Sequence, residues 1–130
     1  MTTPKIDREL LELAAKAAGL DTSHEWNRAS MDMEPPVVAM VVRDAARSLV
    51  TTGWNPLTDD GDALRLAVKL HIGIRSHGPT HWQQPNTSVA LYEIGEYGGG
   101  RIQVRHGDDP SHSTRRAIVP AAAEIGGAMP

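Results

Sequence analysis

The sequence predicts an α+β domain built around an antiparallel sheet. Three observations carry that reading. Apolar residues recur at spacings of three and four near residues 6–17, 63–70 and 117–125, the period of helices with one buried face. Residues 88–94 and 101–105 alternate apolar and polar around a glycine-rich segment, the period of a β-hairpin. The chain has 130 residues and is 40% apolar, which suits one core spanning residues 1–130 and leaves too little for two. Aromatic residues make up only 4%, with no Phe, so that core is aliphatic.

The first helix is predicted from about Thr3 to Ala18, with Thr3 as cap and Pro4 in the first helical position. Ile6, Leu10, Leu13, Ala14 and Ala17 form its apolar stripe; Arg8, Glu9, Glu12 and Lys16 lie opposite. Gly19 stops it in the left-handed conformation. Residues 21–36 are polar and broken by Pro35-Pro36, and read as a loop. Val37 to Arg43 contains four Val, which favours a strand. Asp44-Ala45-Ala46 then turns the chain into a second strand, Arg47 to Thr52. A single helix from Pro35 to Leu49 is the competing reading, and propensity alone does not separate the two.

Trp54-Asn55-Pro56-Leu57 leads into a helix capped by Thr58 or Asp59 and running to about Leu70. Asp59, Asp60 and Asp62 place negative charge at its positive end. Ala63, Leu66, Ala67 and Leu70 form one face, which Leu64 and Val68 widen, so the helix is expected to be buried around most of its circumference. Ile72-Gly73-Ile74 extends briefly. Residues 75–87, with two Pro and two His, read as a loop. Ser88 to Ile94 and Arg101 to Arg105 form the hairpin, with Gly95 to Gly100 as its turn. Asp109-Pro110 opens the last helix, which Gly126-Gly127 ends. Pro120 lies inside it, where a missing N–H and a steric clash cost about 3 kcal/mol, so a kink or an interruption near Val119 is expected.

Two long segments, WNPLTDDGDALRLAVKL (Trp54 to Leu70) and DDPSHSTRRAIVPAAAEIG (Asp108 to Gly126), resemble the phage ABA sandwich domain family of small bacteriophage and prophage proteins. The opening IDRELLELAAKAAG is similar to the family's first helix, and the hairpin around Tyr92 to Gly98 is more loosely similar. The resemblance covers about half of the chain. It implies an antiparallel sheet of about four strands sandwiched between helices, in α/β/α layers, and it favours the hairpin for residues 37–52. The family carries no established biochemical activity. The resemblance therefore implies a phage or prophage accessory protein and assigns no catalytic residue.

Charge and composition exclude several classes. Thirteen Lys+Arg against sixteen Asp+Glu give a net charge of −3, and no stretch of sequence is strongly basic, unlike most nucleic-acid binders. Protonating all six His would reverse that sign. With no Cys, disulfides and thiolate chemistry are impossible. The sequence contains no membrane span and no apolar signal core, so a bacterial host cytoplasm is the expected location.

Candidate chemistry is sparse. His71, His77 and His81 lie close in sequence, but Gly78-Pro79 prevents the helix that would align His77 and His81 on a metal. Asp59-Asp60-Gly61-Asp62 lacks the closing Glu of a calcium loop, since the twelfth position is Leu70. Gly98-Gly99-Gly100 is not followed by the Lys and helix of a phosphate loop, and reads as a flexible hairpin tip. Ser111-His112-Ser113 places its side chains in different directions on a helix, and nothing fixes the separation of Glu93 and Glu96. No catalytic, cofactor or metal residue is assigned, and the protein is expected not to be an enzyme. Trp54 is expected in the core. The candidate contact surface is Trp82 with Arg101, Arg105, Arg115 and Arg116. The expected function is a protein-interaction module with an unknown protein partner, including a second copy of itself. Nucleic-acid association through the four arginines is the alternative.

Overall fold

A computed structural model describes residues 4–46 and 48–130. The α+β class holds, and all strand pairs are antiparallel. Helices α1 (Pro4–Ala17), α2 (Glu25–Ala29), α3 (Asp60–Leu70) and α4 (Pro110–Gly127) accompany strands β1 (Met40–Arg43), β2 (Leu49–Trp54), β3 (Gly73–His77), β4 (Thr87–Ile94) and β5 (Gly98–Arg105). The five strands form two sheets, β1-β2 and β3-β4-β5, where about four strands in one sheet were predicted. Helix α4 lies on one face of the three-stranded sheet, and α1 and α3 pack against α4.

The core is built from small side chains. Ala14, Ala15 and Ala18 of the α1 segment meet Ala117, Ala121 and Ala122 of α4, with Leu11, Met40, Val42, Trp54 and Leu66 filling the remainder. The two helices approach so closely at Gly126 that a Cβ there would lie 2.0 Å from the Leu13 carbonyl oxygen. Only glycine fits.

Several expectations are corrected. The buried face of α1 runs through Arg8, Leu11, Ala14, Ala15 and Ala18, so the stripe is rotated: Ile6 and Leu13 are exposed and Arg8 is 5% exposed. Residues 21–36 are not all loop, because α2 and a 3₁₀ turn (Ser30–Asp32) form within them. A buried polar knot fixes this segment. Arg8 donates to the Asn27 carbonyl, to Ser30 Oγ at 2.9 Å and to the Val37 carbonyl at 2.8 Å. The Asn27 side chain pairs both backbone groups of Val41 and donates to the Thr22 carbonyl. Burial lowers the Arg8 pKa from its ordinary value, and Glu12 opposes that shift; an arginine nonetheless stays charged at neutral pH.

The hairpin reading of residues 37–52 is the observed one, with Met40 opposite Trp54 and Arg43 opposite Leu49. Thr3 and Arg47, assigned to a cap and a strand, lie outside the described residues. The predicted 75–87 loop begins later than expected: Arg75, Ser76 and His77 pair with Val89, Ser88 and Thr87. The β4–β5 turn is shorter than expected, because Gly98, Gly99 and Gly100 pair with Ile94, Glu93 and Tyr92. A Cβ on Gly100 would lie 2.7 Å from the Tyr92 hydroxyl, and Gly99 has φ +147. These glycines make room for Tyr92 and for the backbone, so they are not a flexible tip.

Asp59 caps α3, accepting from the Asp62 backbone at 2.7 Å; Asp62, buried, accepts from the Asn55 backbone and from Arg65. The opposite side of α3 is open, with Leu64 58% and Val68 65% exposed, against the expected near-complete burial. Helix α4 runs without a break through Pro120. The residues flanking Pro120 (Val119, Ala121, Ala122) are fully buried, and their packing outweighs the lost helical hydrogen bond.

Candidate functional site

Strand alternation gives the β3-β4-β5 sheet two unlike faces. Ile74, Ser88, Ala90, Tyr92, Ile102 and Val104 share the face that meets α4, by the register Ile74–Ala90–Ile102. The intervening residues share the outer face in three rows: Gly73–Leu91–Arg101, Arg75–Val89–Gln103 and His77–Thr87–Arg105. This places three arginines on one surface, and all three are exposed. Arg101 and Arg105 stand about 13 Å apart along β5, and Arg75 lies about 10 Å to the side, from the ordinary strand rise and spacing.

The loop over residues 78–86 folds onto this face. The His81 ring stacks on His77, with centroids 3.8 Å apart. His81 Nδ1 accepts from the Gln83 and Gln84 backbones. Gln84 Nε2 donates to Gln103 Oε1 at 3.2 Å, and Arg101 donates to both glutamine side chains. The loop shields Thr87 and Val89, which are buried. It leaves Trp82 at its crest, 84% exposed. Tyr97, in the β4–β5 turn, is 94% exposed.

Among the described residues, no carboxylate lies within ion-pair distance of Arg75, Arg101 or Arg105. Glu93 takes the last outward position of β4, opposite Gly99 and beyond the row that contains Gly73. A chain of net negative charge thus concentrates unpaired positive charge on one sheet face.

The structure brings together Trp82, Arg101 and Arg105 of the predicted contact residues. It sends Arg115 and Arg116 to the helical side. Arg116 pairs in a bidentate fashion with Asp7 at 2.8 and 2.9 Å, both side chains being largely buried. Arg115 pairs with Asp60 and donates to the Leu57 carbonyl at 2.9 Å. Both arginines hold the fold together. Arg75 is the member of the face that sequence reasoning missed, because residues 75–77 were read as loop. Nothing in the pattern Ile74-Arg75-Ser76-His77 marks a strand; only the pairing with β4 does.

The catalytic candidates do not converge. His71 ends α3 in the left-handed conformation, with φ 56. Among the described residues no three His, Asp or Glu side chains group to hold a metal. Ser88 Oγ lies 2.7 Å from His106 Nε2 and 2.8 Å from Thr114 Oγ1. Ser88 is fully buried, and these hydrogen bonds pin β4 to α4 and to the end of β5. A polar cleft of about 620 Å³ between α1 and α2 holds Arg8, Glu12, Glu25, Arg28 and Asp32, charges of both signs that show no preference for one ligand. A second cleft of about 610 Å³, lined by Trp26, Val41 and Leu49 with His24, Arg43 and Thr52, is largely apolar. Among the described residues no helix is long and apolar enough to cross a membrane.

No family model, no curated protein and no solved structure matches the chain.

Proposed function

We propose that this chain is a non-enzymatic binding module that engages an anionic macromolecule on the outer face of the β3-β4-β5 sheet. One observation carries the reading: Arg75, Arg101 and Arg105 share that face without a carboxylate partner, whereas Arg65, Arg115 and Arg116 all sit in ion pairs. Unpaired surface cations of this kind steer and hold anionic partners. The setting of a phage or prophage accessory protein in the host cytoplasm belongs to the same proposal, and it rests on the resemblance of residues 54–70 and 108–126 alone.

The test is retention on immobilised heparin at low ionic strength. The wild-type protein is expected to bind and to elute with salt. The triple variant R75A/R101A/R105A is expected to flow through while keeping its circular dichroism spectrum. Wild-type protein in the flow-through overturns the proposal.

A second reading, contact with an apolar protein segment or a second copy, is favoured by the cleft at Trp26, Val41 and Leu49, where Leu49 is 57% exposed. Light scattering on wild type and Leu49→Asp tests self-association: a dimer that the variant splits supports it, and a wild-type monomer removes the second copy as occupant.

A further inference from the structure

We infer that the anionic partner of the outer sheet face is an unpaired nucleic-acid strand, with bases stacked on Trp82 and phosphates on Arg75, Arg101 and Arg105. The inference rests on the anionic-partner reading above and adds the identity of the partner. The face itself separates the two available polyanions, an acidic protein segment and a nucleic acid.

A protein interface needs an apolar centre that desolvates on contact. This face does not offer one. Val89, at the middle of the sheet, is already buried beneath the 78–86 loop, and Leu91 is the one large aliphatic side chain exposed on the outer rows. What the face does offer is guanidinium groups and an aromatic ring that is 84% exposed. Guanidinium groups bind phosphates, and exposed rings stack on bases.

The aromatic ring also separates a single strand from a duplex. In a duplex both faces of each base are already covered by neighbouring bases. A ring as exposed as Trp82 finds a free base face only on an unpaired strand. The protein fixes the backbone that carries this ring. The His77–His81 stack, the two backbone hydrogen bonds to His81 Nδ1 and the Gln84–Gln103–Arg101 network fix the loop on both sides of Trp82. A loop fixed in this way carries less ordering cost on binding. Tyr97, in the turn that leads into β5, is a second exposed ring.

The experiment titrates the full chain at low salt with a thymine oligonucleotide of about 12 residues, the scale of known single-strand sites. A duplex of the same length and poly-glutamate are run as competitors. The single strand is expected to quench tryptophan fluorescence and to bind more tightly than either competitor. Trp82→Ala is expected to abolish the quench and weaken single-strand binding about tenfold or more, while keeping its circular dichroism spectrum. Because Trp82 is so exposed, this variant folds as the wild type does. A duplex or poly-glutamate that binds at least as tightly as the single strand overturns the inference and leaves the anionic-partner reading standing. Single-strand affinity unchanged in Trp82→Ala overturns it likewise. Loss of both heparin and oligonucleotide binding in the wild-type protein removes both readings together.

Discussion

Arg105 and Arg116 lie close in sequence and have opposite fates. Arg116 turns inward and closes a bidentate pair with Asp7 across the helical layer. Arg105 stands on the outer sheet face with no carboxylate within ion-pair distance. The same contrast divides the molecule. Its inner arginines, Arg8, Arg115 and Arg116, are tied to carbonyls and carboxylates. Its outer arginines, Arg75, Arg101 and Arg105, have no carboxylate partner among the described residues, and Arg101 donates to the amide oxygens of Gln84 and Gln103. The lesson is that a cluster of basic residues in a sequence does not predict a binding surface. What matters is whether the fold has already matched each charge, and that is decided by contacts distant in sequence.

The comparison is open to direct attack, beginning with the helical side. Gly126→Val puts a side chain where the Leu13 carbonyl stands, and is expected to destabilise by about 3 kcal/mol or more. Thermal unfolding measures it; an unchanged midpoint would mean that α1 and α4 do not touch there. Arg8→Met removes the donor to Asn27, Ser30 and Val37 while keeping an unbranched stem, and is expected to cost about 2 kcal/mol from the buried acceptors left unmatched. Urea unfolding with an unaltered slope checks it. Arg116→Ala leaves the largely buried Asp7 carboxylate without its partner, at about 1 kcal/mol once solvent screening is allowed for. The smallest change is expected on the outer face: Arg105→Ala should move stability by no more than about 0.5 kcal/mol while lowering the salt concentration at which heparin releases the protein. If Arg105→Ala were as destabilising as Arg116→Ala, the division between inner and outer arginines would collapse.

Where local chemistry decided the structure, the sequence revealed it. Asp59 caps α3, Gly19 takes the left-handed conformation after α1, Asp109-Pro110 opens α4, and Trp54 is buried. Distant contacts decided the remainder. Helix α2 has five residues, too few to show periodicity, and it exists because Arg8 anchors it from α1 and its own Asn27 ties it to Val41 of β1. The rotated face of α1 follows from alanines that pack against the alanines of α4, a match between two helices that neither displays alone. Strand β3 is short and flanked by Gly and Pro, and only its pairing with β4 makes it a strand. Pro120 argued for a break that the buried side chains around it prevent. On the candidate site, Trp82, Arg101 and Arg105 were readable because a hairpin and a Pro-rich loop expose their residues by default. Arg75 was hidden with its strand, and the inward turn of Arg115 and Arg116 depended on Asp60 and Asp7, far away in the chain.

The strand order β3-β4-β5 leaves β3 and β5 each with one unpaired border of backbone N–H and C=O groups, a template on which another chain can add a strand. The arginines sit on these two border strands, and none is on β4. A second copy approaching sheet to sheet would bring like charges together before any backbone hydrogen bond formed. The arginines proposed to hold an anionic partner are thus also placed where they oppose edge-to-edge pairing of two copies, and neutralising all three is expected to promote that pairing, which light scattering on R75A/R101A/R105A measures.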